Sequence, residues 1–190
     1  MTFILLITKT GLRAGESLSL KWKAIKSIVE TDNNMSIGVL TLQRTHSKVK
    51  KTMEVIIYPT GVRALQRIRK QRENNKWKLK LGDYWKDDDY IFCNKKGEPL
   101  NDIREGFNNL LVRAGMGLDV NDMKFTPYCC RHYFITAGLR RGIDEFAVSK
   151  NCGTSIDMIK TYYDATITED HIDTIIKGLP SYLQNTPTRS

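Results

Sequence analysis

The sequence predicts an α+β domain, mostly helical, with a small antiparallel β-sheet of about three strands at one side. Two observations predict it. Two β-prone runs, Ile37–Leu42 and Met53–Tyr58, flank a polar, lysine-rich connector, which is the pattern of a hairpin. On either side of that pair, apolar residues recur at helical spacing in segments bounded by Gly, Pro, Asn and Asp. With 190 residues, 41% hydrophobic and 27% charged, the chain has the composition of a globular domain with a core and not of a disordered tail.

Residues 1–9 are apolar enough for a core helix, and Gly11-Leu12-Arg13-Ala14-Gly15 breaks it. Leu18, Leu20, Trp22 and Ile25 follow in a short buried helix or turn, and Ile25–Val29 suits a first strand. Asp32-Asn33-Asn34 is a turn signal before the hairpin, whose tip runs from Arg44 to Thr52. Pro59 ends the second hairpin strand. Thr60 begins a helix of about 15 residues with Val62, Leu65 and Ile68 inward and Arg63, Arg67, Arg69, Lys70 and Arg72 on its basic faces. Asn74–Asp89 reads as a connector and Tyr90-Ile91-Phe92 as an extended segment. Asn101-Asp102 can cap a helix through Phe107, Leu110 and Leu111 to Ala114-Gly115. Thr126-Pro127 starts the next helix, which reaches Arg141. Further helices are expected over Ile143–Lys150, Ser155–Tyr163 and Glu169–Lys177. Residues 1–180 are read as one domain and 181–190 as a polar tail.

Thirty Lys and Arg face 21 Asp and Glu, a net charge of +9, so a polyanion is a natural partner. No stretch approaches the ~20 apolar residues of a membrane span, and Phe3–Ile7 lacks the flanks of a signal peptide. Cys93, Cys129, Cys130 and Cys152 have no zinc-ligand spacing and suit free thiols in a reducing cytosol.

Three segments carry chemistry. In Thr10-Gly11-Leu12-Arg13-Ala14-Gly15-Glu16, Glu16 follows Arg13 by three, a spacing that lets the carboxylate orient the guanidinium. In Thr126–Thr136, Tyr128 and Arg131 are three apart and are expected to share a helix face, with His132 pointing elsewhere. The third segment is Asn151-Cys152-Gly153-Thr154-Ser155, followed by Tyr162-Tyr163.

In order and spacing these segments resemble the catalytic domain of the tyrosine recombinase (phage integrase) family, whose boxes are TGLRxxE, HxxRH, LGH and a final tyrosine. Arg13 and Arg131 are 118 residues apart, Arg131 and Tyr163 are 32 apart, and the resemblance covers roughly residues 3–177. Two positions depart from the pattern. Tyr128 stands where box two begins with histidine, and Thr154 where box three ends in histidine or tryptophan.

The resemblance implies site-specific DNA cleavage and rejoining through a covalent 3′-phosphotyrosine. Arg13 and Arg131 would clamp the nonbridging oxygens, with Glu16, Tyr128, His132 and Thr154 around them. Alanine at either arginine is expected to abolish cleavage with the fold intact. Counting ten from Gly153 makes Tyr163 the nucleophile and Tyr162 a packing residue. The family's lysine, which protonates the leaving oxygen, lies in the hairpin. Lys48 at the tip and Lys51, eight residues before Pro59, are the candidates, Lys48 ahead, with Lys50 third.

No cofactor or metal is implied. The implied partners are double-stranded DNA, three further copies of the chain in a tetramer on that DNA, and accessory DNA-bending proteins; free in solution the chain is expected to be a monomer. The implied setting is the cytoplasm of a bacterial host. The chain starts almost at box one, so the family's N-terminal clamp domain is expected to be absent. Rival readings are an inactive DNA-binding relative and a type IB topoisomerase or telomere resolvase.

Overall fold

The structure is a computed structural model that describes residues 2–44, 51–73, 87–116 and 124–161. Lys48, Lys50, Tyr162, Tyr163, most of the connector after Glu73 and the expected Glu169–Lys177 helix lie outside the described residues. The chain divides into two compact units, 1–135 and 136–190.

In the first unit, α1 (Thr2–Thr10) buries Phe3, Leu6, Ile7 and Thr10, the i, i+3, i+4, i+7 stripe of an amphipathic helix. Gly11 stops it with φ 70, a left-handed conformation that favours glycine, and its N–H returns to the Ile7 carbonyl at 2.8 Å. The short helix α2 (Ala14–Leu18) and a 3₁₀ turn (Trp22–Ala24) follow.

The sheet has the expected three antiparallel strands, β1 (Ile25–Glu30), β2 (Ser36–Arg44) and β3 (Lys51–Ile57), in that order. The turn between β1 and β2 contains Asn34 at φ 55, and asparagine tolerates that region best after glycine. Leu40 pairs with Val55 and Gly38 with Ile57. Leu40, Leu42, Val55 and Ile57 therefore share the buried face.

Helix α3 (Pro59–Glu73) packs that face and α1 with Val62, Ala64 and Leu65, and Ile68 is partly buried against the same core. A Cβ at Gly61 would stand 2.7 Å from Ile57 Cγ2 and 3.1 Å from Lys9 Cβ, so glycine is what lets α3 approach this closely.

Arg72 departs from its expected place on a basic face. Its Nη2 donates to the carbonyls of Tyr90 at 2.9 Å and Ile91 at 2.8 Å and reaches Cys93 Sγ at 3.0 Å, and its guanidinium lies 5.6 Å from the Trp22 ring centre. The spacing explains it: Leu65, Ile68 and Arg72 follow one another at three and four, so Arg72 extends the inward stripe. It fastens the extended segment around Tyr90, which bridges Lys21.

In α4 (Arg104–Arg113) the N-cap position is Ile103, and Asp102 caps from one residue earlier by accepting from the Arg104 N–H at 2.8 Å. Helix α5 (Tyr128–Arg140) supplies the last residues of the first unit and the first of the second.

In the second unit α6 (Glu145–Cys152) is capped by Asp144, whose Oδ1 accepts from the Ala147 N–H at 3.0 Å. Gly153 at φ 59 stops it, and residues 156–161 are helical again. All four cysteines are free thiols. Among the described residues no helix is long and apolar enough to cross a membrane.

Two helix glycines of the first unit, Gly61 and Gly106, make a paired stability test. Gly61→Ala should cost about 1–3 kcal/mol through overpacking. Gly106→Ala meets nothing within 4 Å and should gain roughly 0.5–1 kcal/mol of helix propensity. Urea melts of the two variants should move in opposite directions, and equal midpoints would count against the α1–α3 packing.

Candidate active site

Box one is a helix end turned into a cap. The buried Thr10 hydroxyl donates to the Leu6 carbonyl at 2.8 Å and accepts from the Leu12 N–H at 3.4 Å, which ties the turn at Gly11 back to α1. Leu12 is fully buried and anchors the turn from below. Arg13 is extended and N-caps α2. Glu16, as its spacing predicts, holds Arg13 twice: Oε2 accepts from the backbone N–H and Oε1 from Nη1, both at 2.9 Å. The Arg13 side chain remains 46% exposed.

Box two supplies the opposite kind of arginine. Arg131 is 2% exposed, and its Nη1 donates to the Gly11 carbonyl at 2.8 Å. Gly11 follows the last turn of α1, where carbonyls lack helical partners and the helix dipole favours a cation. Two residues of chain span at most about 7 Å, so this contact sets the box-two arginine beside the backbone of Arg13. Residues 120 apart in sequence thereby meet in one place.

The neighbours of Arg131 are arranged differently from expectation. Tyr128 does not share its face with Arg131 to the exclusion of His132. Tyr128 is 49% exposed, and its ring meets His132 edge-on, with centroids 4.6 Å apart and planes at 84°. A spacing of four makes neighbours as well as three does, and here four won because Arg131 turns into the core. Burial, and then the Arg131 charge, hold the His132 pKa below its usual value, so the imidazole is neutral at neutral pH. Its contribution to stability is present above the unfolded value of about 6.5 and is lost as the pH falls below it. On the same helix, burial pushes the Cys130 thiol up to about 11, which makes it a poor nucleophile beside the site.

Box three lies in the second unit. Gly153 supplies the left-handed stop of α6, and the Thr154 N–H returns to the Ser149 carbonyl at 3.0 Å. Ser155 Oγ then accepts from the Met158 N–H at 3.2 Å and caps the helical residues 156–161. The Gly-Thr-Ser run is thus a helix stop followed by a helix start, with Thr154 half-buried between them. In the sheet, Lys51 opens β3 opposite Arg44, so Lys48 belongs to the six-residue connector between the strands. Sequence reasoning missed the Gly11 carbonyl as a partner for Arg131; the signal that existed was the arginine three residues into a helix with apolar Phe134 and Ile135 beyond it.

The chain matches the phage integrase family over residues 1–169 and belongs to that family. It is 30% identical over 152 residues to tyrosine recombinase XerC of Bacillus pumilus, covering 79% of this chain and 44% of that protein. Among solved structures it is similar to the XerH site-specific recombinase in its post-cleavage complex with a palindromic difH substrate, at TM-score 0.64 and 20% identity over 94% of this chain and 45% of that one. It is also similar to XerA recombinase, at TM-score 0.64 and 24% identity over 90% of this chain and 57% of that one. The fold is that of a tyrosine recombinase catalytic domain. The chain spans under half the length of the XerC and XerH chains it matches.

The burial of Arg131 revises the expectation that alanine at either arginine leaves the fold untouched. Arg131→Ala removes a buried charged hydrogen bond and should cost about 1–3 kcal/mol of stability. Arg13→Ala breaks an exposed ion pair and should cost about 0–1 kcal/mol. Equal denaturation midpoints for the two variants would contradict the buried tether.

Proposed function

We propose that this chain cuts and rejoins DNA at specific sites through a 3′-phosphotyrosine on Tyr163. One observation carries the reading: Arg131 donates to the carbonyl of Gly11 and so gathers the box-one and box-two arginines at one place. Membership of the phage integrase family supports it, as does the likeness to a recombinase described in a post-cleavage DNA complex.

In this reading the Tyr163 oxygen gives up its proton to solvent and attacks the scissile phosphorus, the bond from phosphorus to the 5′ oxygen breaks, and a proton passes to the leaving oxygen from Lys48 or, failing it, Lys51. Arg131 forms the floor of the phosphate site and Arg13, oriented by Glu16, its exposed rim. Their fixed charge stabilises the pentavalent intermediate. Tyr128 and Thr154 occupy the positions where histidine is usual. The phosphodiester energy is retained in the phosphotyrosine, so rejoining needs no nucleotide. Strand exchange needs four copies on paired DNA sites, and the chain is a monomer until DNA gathers it. Such chemistry belongs with the chromosome in the bacterial cytoplasm.

Double-stranded DNA as partner also fits the outer face of α3. Arg63, Arg67 and Lys70 recur there at four and three residues and are exposed. Like charges at these spacings destabilise an isolated helix, and the first turn of α3 has no acidic residue to offset them. Phosphates would. Removing all three charges in Arg63→Gln/Arg67→Gln/Lys70→Gln should lower the slope of log affinity against log salt by up to about 2.7 if each contacts one phosphate. An unchanged slope would leave these residues as a solvated face.

The reading itself is tested with nicked duplexes of randomised sequence, on which cleavage strands the enzyme as a covalent adduct. Wild type and Tyr162→Phe should form adduct, whereas Tyr163→Phe should bind and form none. A well-folded wild-type chain that binds DNA and yields no adduct would favour a DNA-binding relative without catalysis.

A further inference from the structure

Strand β1 forms one edge of the sheet, and every residue in it after Ile25 is exposed. An open edge offers unpaired N–H and C=O groups to another strand, and proteins blunt such edges with bulges, prolines or charges. Here the bulge lies between Ile25 and Ser27, and Ser27–Glu30 runs on in regular register without a proline. Ile28 and Val29, 44% and 55% exposed, stand side by side in that run. The ladder shows which groups face outward. The Thr31 N–H donates to the Met35 carbonyl at 2.9 Å, so these two residues form a hydrogen-bonded pair of the ladder. Alternation from there gives Val29 and Ser27 to β2 and turns the N–H and C=O of Ile28 and Glu30 to the free edge. Among the described residues no other strand or loop answers them.

Charge selects the partner and the register. Lys26 and Glu30 lie two residues to either side of Ile28. When a second β1 lies antiparallel with Ile28 opposite Ile28, the outward groups of one strand meet those of the other, and Lys26 of each copy stands opposite Glu30 of its mate. Centring the pair on Glu30 or on Lys26 would set like charges directly opposite each other, which destabilises a ladder. Centred on Ser27 or Val29, the apolar Ile28 would meet the charge of Lys26 or Glu30 instead. We propose that β1 is a homotypic docking edge, at which two copies of this chain join β1 to β1 about a two-fold axis at Ile28 and continue one sheet through both. Ile28 then meets Ile28 on one face, and on the other Val29 packs beside Ser27 of the second copy. Such a contact closes after two copies. One pair of six-residue strands buries less than the ~1,200 Å² of a standard interface. The pairing is therefore weak in dilute solution and forms where copies are crowded together, as they are when gathered on DNA. It does not depend on the cleavage chemistry proposed above.

The test is a directed disulfide. In the register centred on Ile28, Ser27 of one copy and Val29 of the other form a non-hydrogen-bonded pair with Cα atoms about 4.5 Å apart, inside the ~4.4–6.8 Å reach of a disulfide. Ser27 and Ser27, or Val29 and Val29, stand diagonally at about 7–8 Å, beyond it. The whole chain is prepared as Ser27→Cys and as Val29→Cys, with wild type as the control for the native thiols and circular dichroism as the check of folding. Under mild oxidation at high protein concentration, a mixture of the two variants should form covalent dimer about fivefold faster or more than either variant alone. Adding Glu30→Lys to both should slow the mixture about threefold or more at low salt, since Lys26 then faces lysine, and raising the salt should shrink that loss. Without any new cysteine, wild type should self-associate weakly in sedimentation equilibrium at high concentration, and Glu30→Lys should reduce it. A mixture no faster than its components would overturn the proposal, whether the edge stays bare or another stretch of the chain covers it. So would a Val29→Cys chain that links to itself as fast as the mixture, a Glu30→Lys rate equal to its parent, or wild type that sediments as a monomer at every concentration.

Discussion

A guanidinium taken out of water is costly unless fixed dipoles replace its hydration, and Arg131 is almost wholly buried. The Gly11 carbonyl at 2.8 Å is one of those dipoles. It is available because α1 stops there: a left-handed glycine ends the helix, the last carbonyls are left without helical partners, and the helix dipole places negative charge at that end. One hydrogen bond therefore couples the end of the first helix to the helix that carries box two. The same turn delivers Arg13 two residues later, already held by Glu16 through both its backbone and its side chain.

The rest of the first unit serves to keep that turn in place. Thr10 and Leu12 anchor it from within. Helix α1 is braced by α3, whose close approach depends on the missing side chain at Gly61. The sheet supplies a second wall through Leu40, Leu42, Val55 and Ile57. The two arginines end up unlike each other, one buried and rigid, the other exposed and steered by a carboxylate.

Much of this was legible in the sequence because the signals were local. The helix from Pro59 showed in its apolar spacing, the hairpin in its two β-prone runs, and the Arg13–Glu16 pair in its separation of three. The left-handed stops at Gly11 and Gly153 were visible as glycines inside boxes, although the angles were not. What failed was tertiary. Arg72 looked like part of a basic face, yet it continues the Leu65–Ile68 stripe and fastens the segment at Tyr90. Tyr128 looked like a partner of Arg131, yet both three and four are neighbour spacings, and only the burial of Arg131 decides that the tyrosine packs on His132. The contact between Arg131 and Gly11 spans 120 residues, and no local pattern encodes it.

The claim at the centre of this account is that two arginines from distant boxes serve one phosphate because a main-chain carbonyl holds one of them beside the other. A crystal structure of the chain on a nicked duplex tests it most directly. The account predicts Arg13 and Arg131 guanidinium nitrogens both about 2.7–3.2 Å from nonbridging oxygens of the same phosphate, with the Arg131–Gly11 hydrogen bond intact. A phosphate bound by Arg13 alone, with Arg131 still buried and out of reach of it, would contradict the account and leave Arg131 as a strut of the fold.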